Sequence, residues 1–220
     1  MQDIYVGDTG KGFPLVLVHG FLGSSKMWEP QVNFFKKHFR VITPDLPGFG
    51  KSNKAKPRNN IQSIADLLLD CLEEEKIDKF YLLGHSMGGM IVQEMAKKAG
   101  ENISKLICYS TGPRGEMPGR FETVDQSREN LKKKGLEITA KNIAKTWFIK
   151  GEDAKYFDIC IDAGKQTSME TADNSLVAIK NWNGVDTLKN NIENETLIVW
   201  GDQDKSYNLE QIQTLENNIE

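Results

Sequence analysis

The chain has 220 residues, 39% of them hydrophobic and 27% charged, a balance that excludes a disordered chain and suits one globular domain with a large core. Twenty-eight basic residues against thirty-one acidic ones leave a net charge of −3. That charge supplies neither the basic field nucleic acid requires nor a polybasic patch for a membrane surface, so neither partner is expected.

The opening MQDIYVGDTGKG carries neither a basic n-region nor an apolar h-region, so no signal peptide is expected, and DIYV is all that stands for an opening hairpin. PLVLVHG (14–20) is a short β-rich run ending in glycine, as a buried parallel strand would be. SSKMWEPQVNFFKKH (24–38) follows as a helix, with Ser24 or Ser25 as N-cap and Trp28, Val32 and Phe35 at helical spacing. FRVITPDL (39–46) is a second strand, closed by the turn-rich PGFGKSN. NIQSIADLLLDCLEEEKI (60–77) is amphipathic, with Ile64, Leu67, Leu68, Cys71 and Leu72 on one face. KFYLLG (79–84) is a strand, MGGMIVQEMAKK (87–98) a helix stopped by Gly100, and ISKLICYS (103–110) a further strand.

Strands alternating with helices at this rhythm predict a mostly parallel sheet flanked by helices, an α/β fold. The alternation breaks between about Thr111 and Asn190, where the stretches FETVDQSRENLKKK, ITAKNIAKTWF, DAKYFDICIDAGKQ and ADNSLVAIKNW all read as helices. ETLIVWGDQD (195–204) restores a strand, and NLEQIQTLENNI (208–219) predicts a last helix that runs to the end without a cap. The organisation expected is a core domain over 1–110, a helical cap over 111–190 and the core continued over 191–220. A helical insertion between sheet strands is a natural lid over the carboxyl edge, where open α/β sheets bind ligands. The longest apolar runs, PLVLV and TLIVW, are too short to span a bilayer. Cys71, Cys108 and Cys160 are odd in number, widely spaced and without a CxxC, so they read as reduced core thiols of a cytoplasmic protein.

Gly84-His85-Ser86-Met87-Gly88 fits G-x-S-x-G between a strand and a helix, where that motif must lie to present a nucleophile. The serine takes a strained corner, and glycines two residues either side let strand and helix approach without Cβ clashes. A helix N-terminus then aims amides at developing negative charge. Two backbone N–H groups are expected to hold an oxyanion: that of Met87, next after the nucleophile, and that of Phe21, in the HGFLGSS loop after the first long strand. A serine hydroxyl needs a base, and the histidines are only His19, His38 and His85. His19 reads as a buttress of its loop, His85 as pointing away from the serine, and His38 as the end of a solvated helix. No two of them have metal-ligand spacing, so neither a metal nor a cofactor is expected.

HGF at 19–21, PDLPGFGKS at 44–52, GHSMGG at 84–89 and TLIVWGDQD at 196–204 together resemble the α/β-hydrolase superfamily, in its serine-nucleophile branch. SRENLKKKGLEITAKNIAKTWF and WNGVDTLKN resemble the cap of carboxylesterases and 3-oxoadipate enol-lactonase-like hydrolases. The resemblance implies that the triad acid follows the strand after the cap in G-x-x-D. In this chain that is Asp204, with Asp202 as runner-up; an Asx-rich turn is the plainer structural reading of both. It also implies a histidine one strand later, and residues 205–220 hold room for one helix only. The C-terminal strand and helix of the fold are therefore expected to be missing, with the base beyond Glu220.

The activity implied is hydrolysis of a small ester or lactone through an acyl-enzyme. C–C bond hydrolysis, perhydrolysis and acyl transfer use the same residues, whereas Ser86 argues against the branches with an aspartate nucleophile. The alternative is a catalytically silent ligand-binding protein or receptor on the same fold. Met117, Phe121, Trp147, Phe148, Tyr156, Phe157, Met169 and Trp182 are available to line a pocket or pack the cap, and Arg114 and Arg120 to meet a carboxylate or face solvent. Nothing in the sequence reads as an oligomerisation signal.

Overall fold

The computed structural model describes residues 4–116, 121–185, 191–217 and 219. Six strands form one sheet: β1 (Val6–Gly10), β2 (Pro14–Val18), β3 (Arg40–Pro44), β4 (Phe80–His85), β5 (Ile103–Tyr109) and β6 (Thr196–Val199). Their order is β1-β3-β2-β4-β5-β6, and every pairing is parallel except that of β1 with β3. Eight α-helices flank it among the described residues. Three lie before β6 in the alternating half: α1 (Glu29–Phe35), α2 (Ile61–Glu74) and α3 (Met87–Ala99). Four come between β5 and β6: α4 (Val124–Lys134), α5 (Leu136–Thr146), α6 (Phe157–Gly164) and α7 (Met169–Asn181). The last is α8 (Leu209–Glu216).

The two-residue period of β2 divides the core. Val16 and Val18 join Ile42, Leu82, Ile91 and Leu106 on one face, while Leu15 and Leu17 pack with Trp28 and Val41 on the other. Both faces are covered, which is why these strands read as continuous apolar runs rather than alternating ones.

Several local expectations are corrected. The opening strand is Val6–Gly10, not DIYV, and it pairs with β3 rather than forming a hairpin with β2. Residues 25–28 form a 3-10 turn before α1, and the Ser24 side chain makes no capping bond. Ser25 instead gives its backbone N–H to the Asp45 carboxylate, so tertiary bonding takes over from capping. The last helix is Leu209–Glu216, shorter than the 208–219 expected, and it starts at an Asn208–Gln211 capping box.

The two ends of the α4–α7 segment are tied together. Gly115 N–H donates to the Trp182 carbonyl at 3.0 Å, Gly184 N–H to that of Pro113 at 2.7 Å, and Arg114 bridges Asn183 antiparallel. Within it, Arg128 on α4 grips Asp173 on α7 through two bonds of 2.8 and 3.0 Å. Trp182 donates its indole N–H at 2.8 Å to buried Glu94 on α3, which also receives Gln62 from α2. The segment therefore leaves and rejoins the sheet at one place.

Candidate active site

The chain runs from β2 outward to β3 and then returns across the sheet to β4, so β2 and β4 are neighbours whose following loops diverge. Open α/β sheets bind ligands at such a switch point. The loop after β2 carries Phe21, and the corner after β4 carries Ser86.

Ser86 is the residue between β4 and α3, with φ 55° and ψ −119°, a left-handed conformation that costs about 1–3 kcal/mol for a non-glycine residue. Its surroundings hold it there. Ser86 N–H donates to the Tyr109 carbonyl at 3.1 Å; its own carbonyl accepts from Gly89 N–H at 2.8 Å and from the Thr111 hydroxyl at 2.8 Å. The flanking glycines are required by space. A β-carbon on Gly84 would overlap the Gly88 carbonyl, and one on Gly88 would overlap the Val18 carbonyl. On the far side, a β-carbon on Gly20 would stand 2.9 Å from the His85 carbonyl oxygen and 3.0 Å from Ser86 Cβ. The loop with Phe21 is thus seated directly on the serine corner.

His19 fixes that loop. Its Nδ1–H donates to the Gly20 carbonyl at 2.9 Å, and Nε2 accepts the Leu46 N–H at 2.9 Å, which assigns the neutral tautomer. Burial pushes the imidazole below its ordinary pKa, against the pull of the Asp45 carboxylate. Asp45 in turn accepts the backbone N–H groups of Ser25 and Lys51, the latter at 2.7 Å. HGF and PDLPGFGKS are therefore two halves of one buried clamp. Met87 opens α3, where first-turn N–H groups lack intrahelical acceptors, and its side chain is fully buried in the core.

His85 packs among aromatic rings, as a packing role requires, and it is also one of the residues that border both cavities at Ser86. The ring sits 5.1 Å from that of Tyr109 and 6.4 Å from those of Trp28 and Trp147, with Nδ1 buried and without a hydrogen-bond partner among the described residues. Burial, reinforced by His19, lowers its pKa to about 4. His38 is exposed. None of the three histidines is recorded as bonded to Ser86.

The group recorded beside the Ser86 hydroxyl is one the sequence reading missed: Tyr207 Oη, 3.4 Å from Ser86 Oγ. The same turn holds Asp204. Asp204 Oδ1 accepts Ser206 N–H at 2.8 Å and Tyr207 N–H at 3.1 Å, an Asx turn, while Trp200 Nε1–H donates to the Tyr207 carbonyl at 2.7 Å. Tyr207 lies three residues after Asp204, within reach of that turn, which was the signal available. Asp202 is exposed and Asp204 half-buried.

Two cavities meet at Ser86. A small one of about 30 Å³ touches Phe21, Phe121, Ile143, Trp147, Ile179 and Tyr207. An open cleft of about 470 Å³ is bordered by Asp202, Asp204, Trp147, Phe148, Trp200 and Tyr207. Of the aromatic candidates, Phe121, Trp147 and Phe148 line cavities; Phe157 and Trp182 are buried in packing, and Tyr156 and Met169 face solvent. Arg114 is exposed, and Met117, Arg120 and the end of WNGVDTLKN lie outside the described residues. Cys71, Cys108 and Cys160 are free thiols, and burial raises them to about 11, 12 and 11, so they are held protonated and unreactive. Among the described residues no helix is long and apolar enough to cross a membrane.

A family model described as the alpha/beta hydrolase fold matches residues 14–218. An (E)-2-((N-methylformamido)methylene)succinate hydrolase from Acinetobacter baylyi is 30% identical over 148 residues, 67% of this chain and 55% of its own length. A pimeloyl-[acyl-carrier protein] methyl ester esterase from Legionella pneumophila is 33% identical over 144 residues, 64% of this chain and 57% of its own. The chain thus spans little more than half the length of these curated relatives. Among solved structures, an esterase from Exiguobacterium antarcticum superposes with a TM-score of 0.89 at 27% identity, covering 98% of this chain and 83% of that one. An enol-lactonase from Burkholderia xenovorans gives 0.86 at 21% identity, over 98% and 84%, and shares the fold.

Proposed function

The chain belongs to the α/β-hydrolase fold family, and from that premise we propose that it carries the nucleophile, oxyanion donors and acid of a serine hydrolase acting on a small ester or lactone. The observation that supports this most is the Ser86 corner: a strained serine at a helix N-terminus, with its hydroxyl opening on both cavities. In this reading Ser86 Oγ attacks the acyl carbon and gives its proton to a base. The N–H groups of Phe21 and Met87 receive the negative oxygen, the alcohol leaves, and water releases the acid from the serine. Asp204 is the acid, since its Asx turn fixes the carboxylate at the cleft wall; Asp202, exposed, is the weaker candidate. Segment 111–190 acts as a cap over the site. No base is assigned: His19 has both nitrogens engaged, His85 is packed among aromatic rings, and His38 is exposed. Three free thiols suit a reducing, cytoplasmic setting. The relatives named as a methyl ester esterase and a succinate-derivative hydrolase favour hydrolytic chemistry.

The test is a stoichiometric burst of p-nitrophenol from p-nitrophenyl acetate, together with fluorophosphonate labelling located by mass spectrometry. Both should report Ser86, and Ser86→Ala should abolish both. Labelling that survives Ser86→Ala defeats the reading. A second reading, a ligand-binding protein on the same fold, is favoured by one observation: the neighbour recorded at Ser86 Oγ is a phenol rather than an imidazole. Ligand-dependent stabilisation with no burst would select it.

A further inference from the structure

The segment between β5 and β6 leaves the sheet through residues 111–115 and returns through residues 182–184, and neighbouring residues of one helix hold both crossings. Gln93, on α3, donates its side-chain amide to the Gly112 carbonyl at 3.2 Å and to the Gly89 carbonyl at 3.0 Å. Glu94, the next residue, accepts the Trp182 indole N–H at 2.8 Å. α3 is the helix that begins at Ser86. The serine corner and the stalk of the helical segment therefore share one support.

Glu94 is an expensive side chain for that place. It is 1% exposed and forms no ion pair among the described residues; its Oε1 accepts both Trp182 and the Gln62 side-chain amide, the latter at 2.9 Å. A buried carboxyl without a cation costs more than a well-packed apolar side chain of the same size. What it supplies is one acceptor for donors from two elements, α2 and the returning stalk. Trp182 is itself buried, so its indole N–H has no water to turn to when that acceptor is removed.

From Trp182 the constraint passes to the cavity at Ser86. The Trp182 carbonyl accepts the Gly115 N–H at 3.0 Å, and the Trp182 N–H donates to the Ile179 carbonyl at 3.2 Å. Gly115 lies so close to that second carbonyl that a β-carbon on it would overlap the oxygen. Gly115 and Ile179 both border the small cavity that Ser86 borders, whereas Glu94 borders neither cavity at the serine.

Resting on the reading of Ser86 as nucleophile and of segment 111–190 as its cap, we propose that Glu94 is a positioning residue. It pins the cap's returning stalk to the serine helix and so fixes the wall that Gly115 and Ile179 present to a substrate. The corner itself does not depend on it: Ser86 is held by Tyr109, Gly89 and Thr111, and Glu94 bonds to none of them. Loss of Glu94 should therefore loosen binding in the cavity and leave the chemistry of the corner in place.

The test uses the full chain as wild type, Glu94→Gln, Glu94→Leu and Trp182→Phe. The burst rate of p-nitrophenol against p-nitrophenyl acetate concentration separates the half-saturating concentration from the limiting rate. Glu94→Leu and Trp182→Phe should raise the half-saturating concentration by about ten-fold, the scale of one buried group left without its partner, and leave the limiting rate within about two-fold. Glu94→Gln keeps an oxygen for both donors and should stay within about two-fold of wild type in each. Trp182→Phe breaks the same bond from the other side, which keeps the test open if Glu94→Leu folds poorly.

A second readout needs no chemistry at Ser86. The Trp182 indole resonance of the ¹⁵N-labelled chain, assigned by its loss in Trp182→Phe, should shift and exchange its proton faster in Glu94→Leu but not in Glu94→Gln. The Gly115 amide should exchange faster with it. A Glu94→Leu variant with a lower thermal midpoint but an unchanged half-saturating concentration overturns the proposal, since stability alone is then at stake. An unmoved indole resonance overturns it too, as does a Glu94→Gln variant that behaves like Glu94→Leu. If even the wild type gives no burst, the serine reading falls, and exchange at the indole and at Gly115 alone decides whether Glu94 pins the stalk.

Discussion

The Ser86 corner and the Asp204 turn both present a side chain at the carboxyl edge of the sheet, yet they are held by opposite means. Ser86 is fixed from a distance. Its positive φ persists because β2, β4, β5 and α3 close around it, and because Gly20, Gly84 and Gly88 leave no β-carbon in the way. Asp204 is fixed by its neighbours: the two bonds to its Oδ1 come from Ser206 and Tyr207, two and three residues on. A corner built from tertiary packing stores strain and tolerates no added volume. A turn built from local bonds stores little and tolerates any side chain that offers the same acceptor.

The largest expected effect exploits the second half of that contrast. Asp204→Asn keeps an oxygen for the Ser206 and Tyr207 amides, so the thermal midpoint should barely move. On the proposed reading ester hydrolysis should still fall by about 10⁴-fold, because a neutral amide no longer stabilises the protonated base that has taken the Ser86 proton. Asp202→Asn should leave the rate within about two-fold; an equal loss at both positions would reverse the assignment of the acid.

Gly88→Ala probes the first half. The added methyl falls on the Val18 carbonyl, and urea unfolding should show a loss of about 3 kcal/mol. A neutral result would mean that the corner is not set by packing.

The pH response comes next. The His85 pKa is lowered to about 4 from 6.5, so the unfolded chain binds the proton first. Stability is fully present above pH 6.5 and is lost as pH falls from there towards 4. His85→Leu should flatten that part of the urea-midpoint profile, leaving the smaller slope from His19, whose pKa burial also lowers.

The smallest effect is at the junction of the two regions. Tyr207→Phe removes a hydroxyl 3.4 Å from Ser86 Oγ and should cost about 0.5 kcal/mol, with a change in kcat of only a few-fold. The phenol ¹³Cζ resonance lost in Tyr207→Phe should shift in Ser86→Ala. An unmoved resonance would deny the contact between corner and turn.

Much of this was legible in the sequence because it rests on short-range rules. Glycine spacing around Ser86, alternation of strands with helices and the apolar runs of buried parallel strands each follow from sterics or periodicity within a few residues. The HGF and PDLPGFGKS motifs were visible as turns, but not as a single clamp. His19 and Leu46 meet only when β2 and β3 are side by side. The first strand escaped notice because VGDTG offers almost no apolar pattern and is held by pairing with β3 alone.

The aspartate after the strand that follows the cap came from the resemblance to a family; by itself the sequence determined the rest, a serine between glycines and amides in a loop after the first long strand. These are properties of local backbone and residue type. Only the tertiary structure decided what surrounds them. The tyrosine at the serine hydroxyl and the two cavities that meet there join residues far apart in sequence, through packing between the sheet and helices that fold back over it. Distances of that kind are set by how whole elements fill space together, and no window of neighbouring residues contains them.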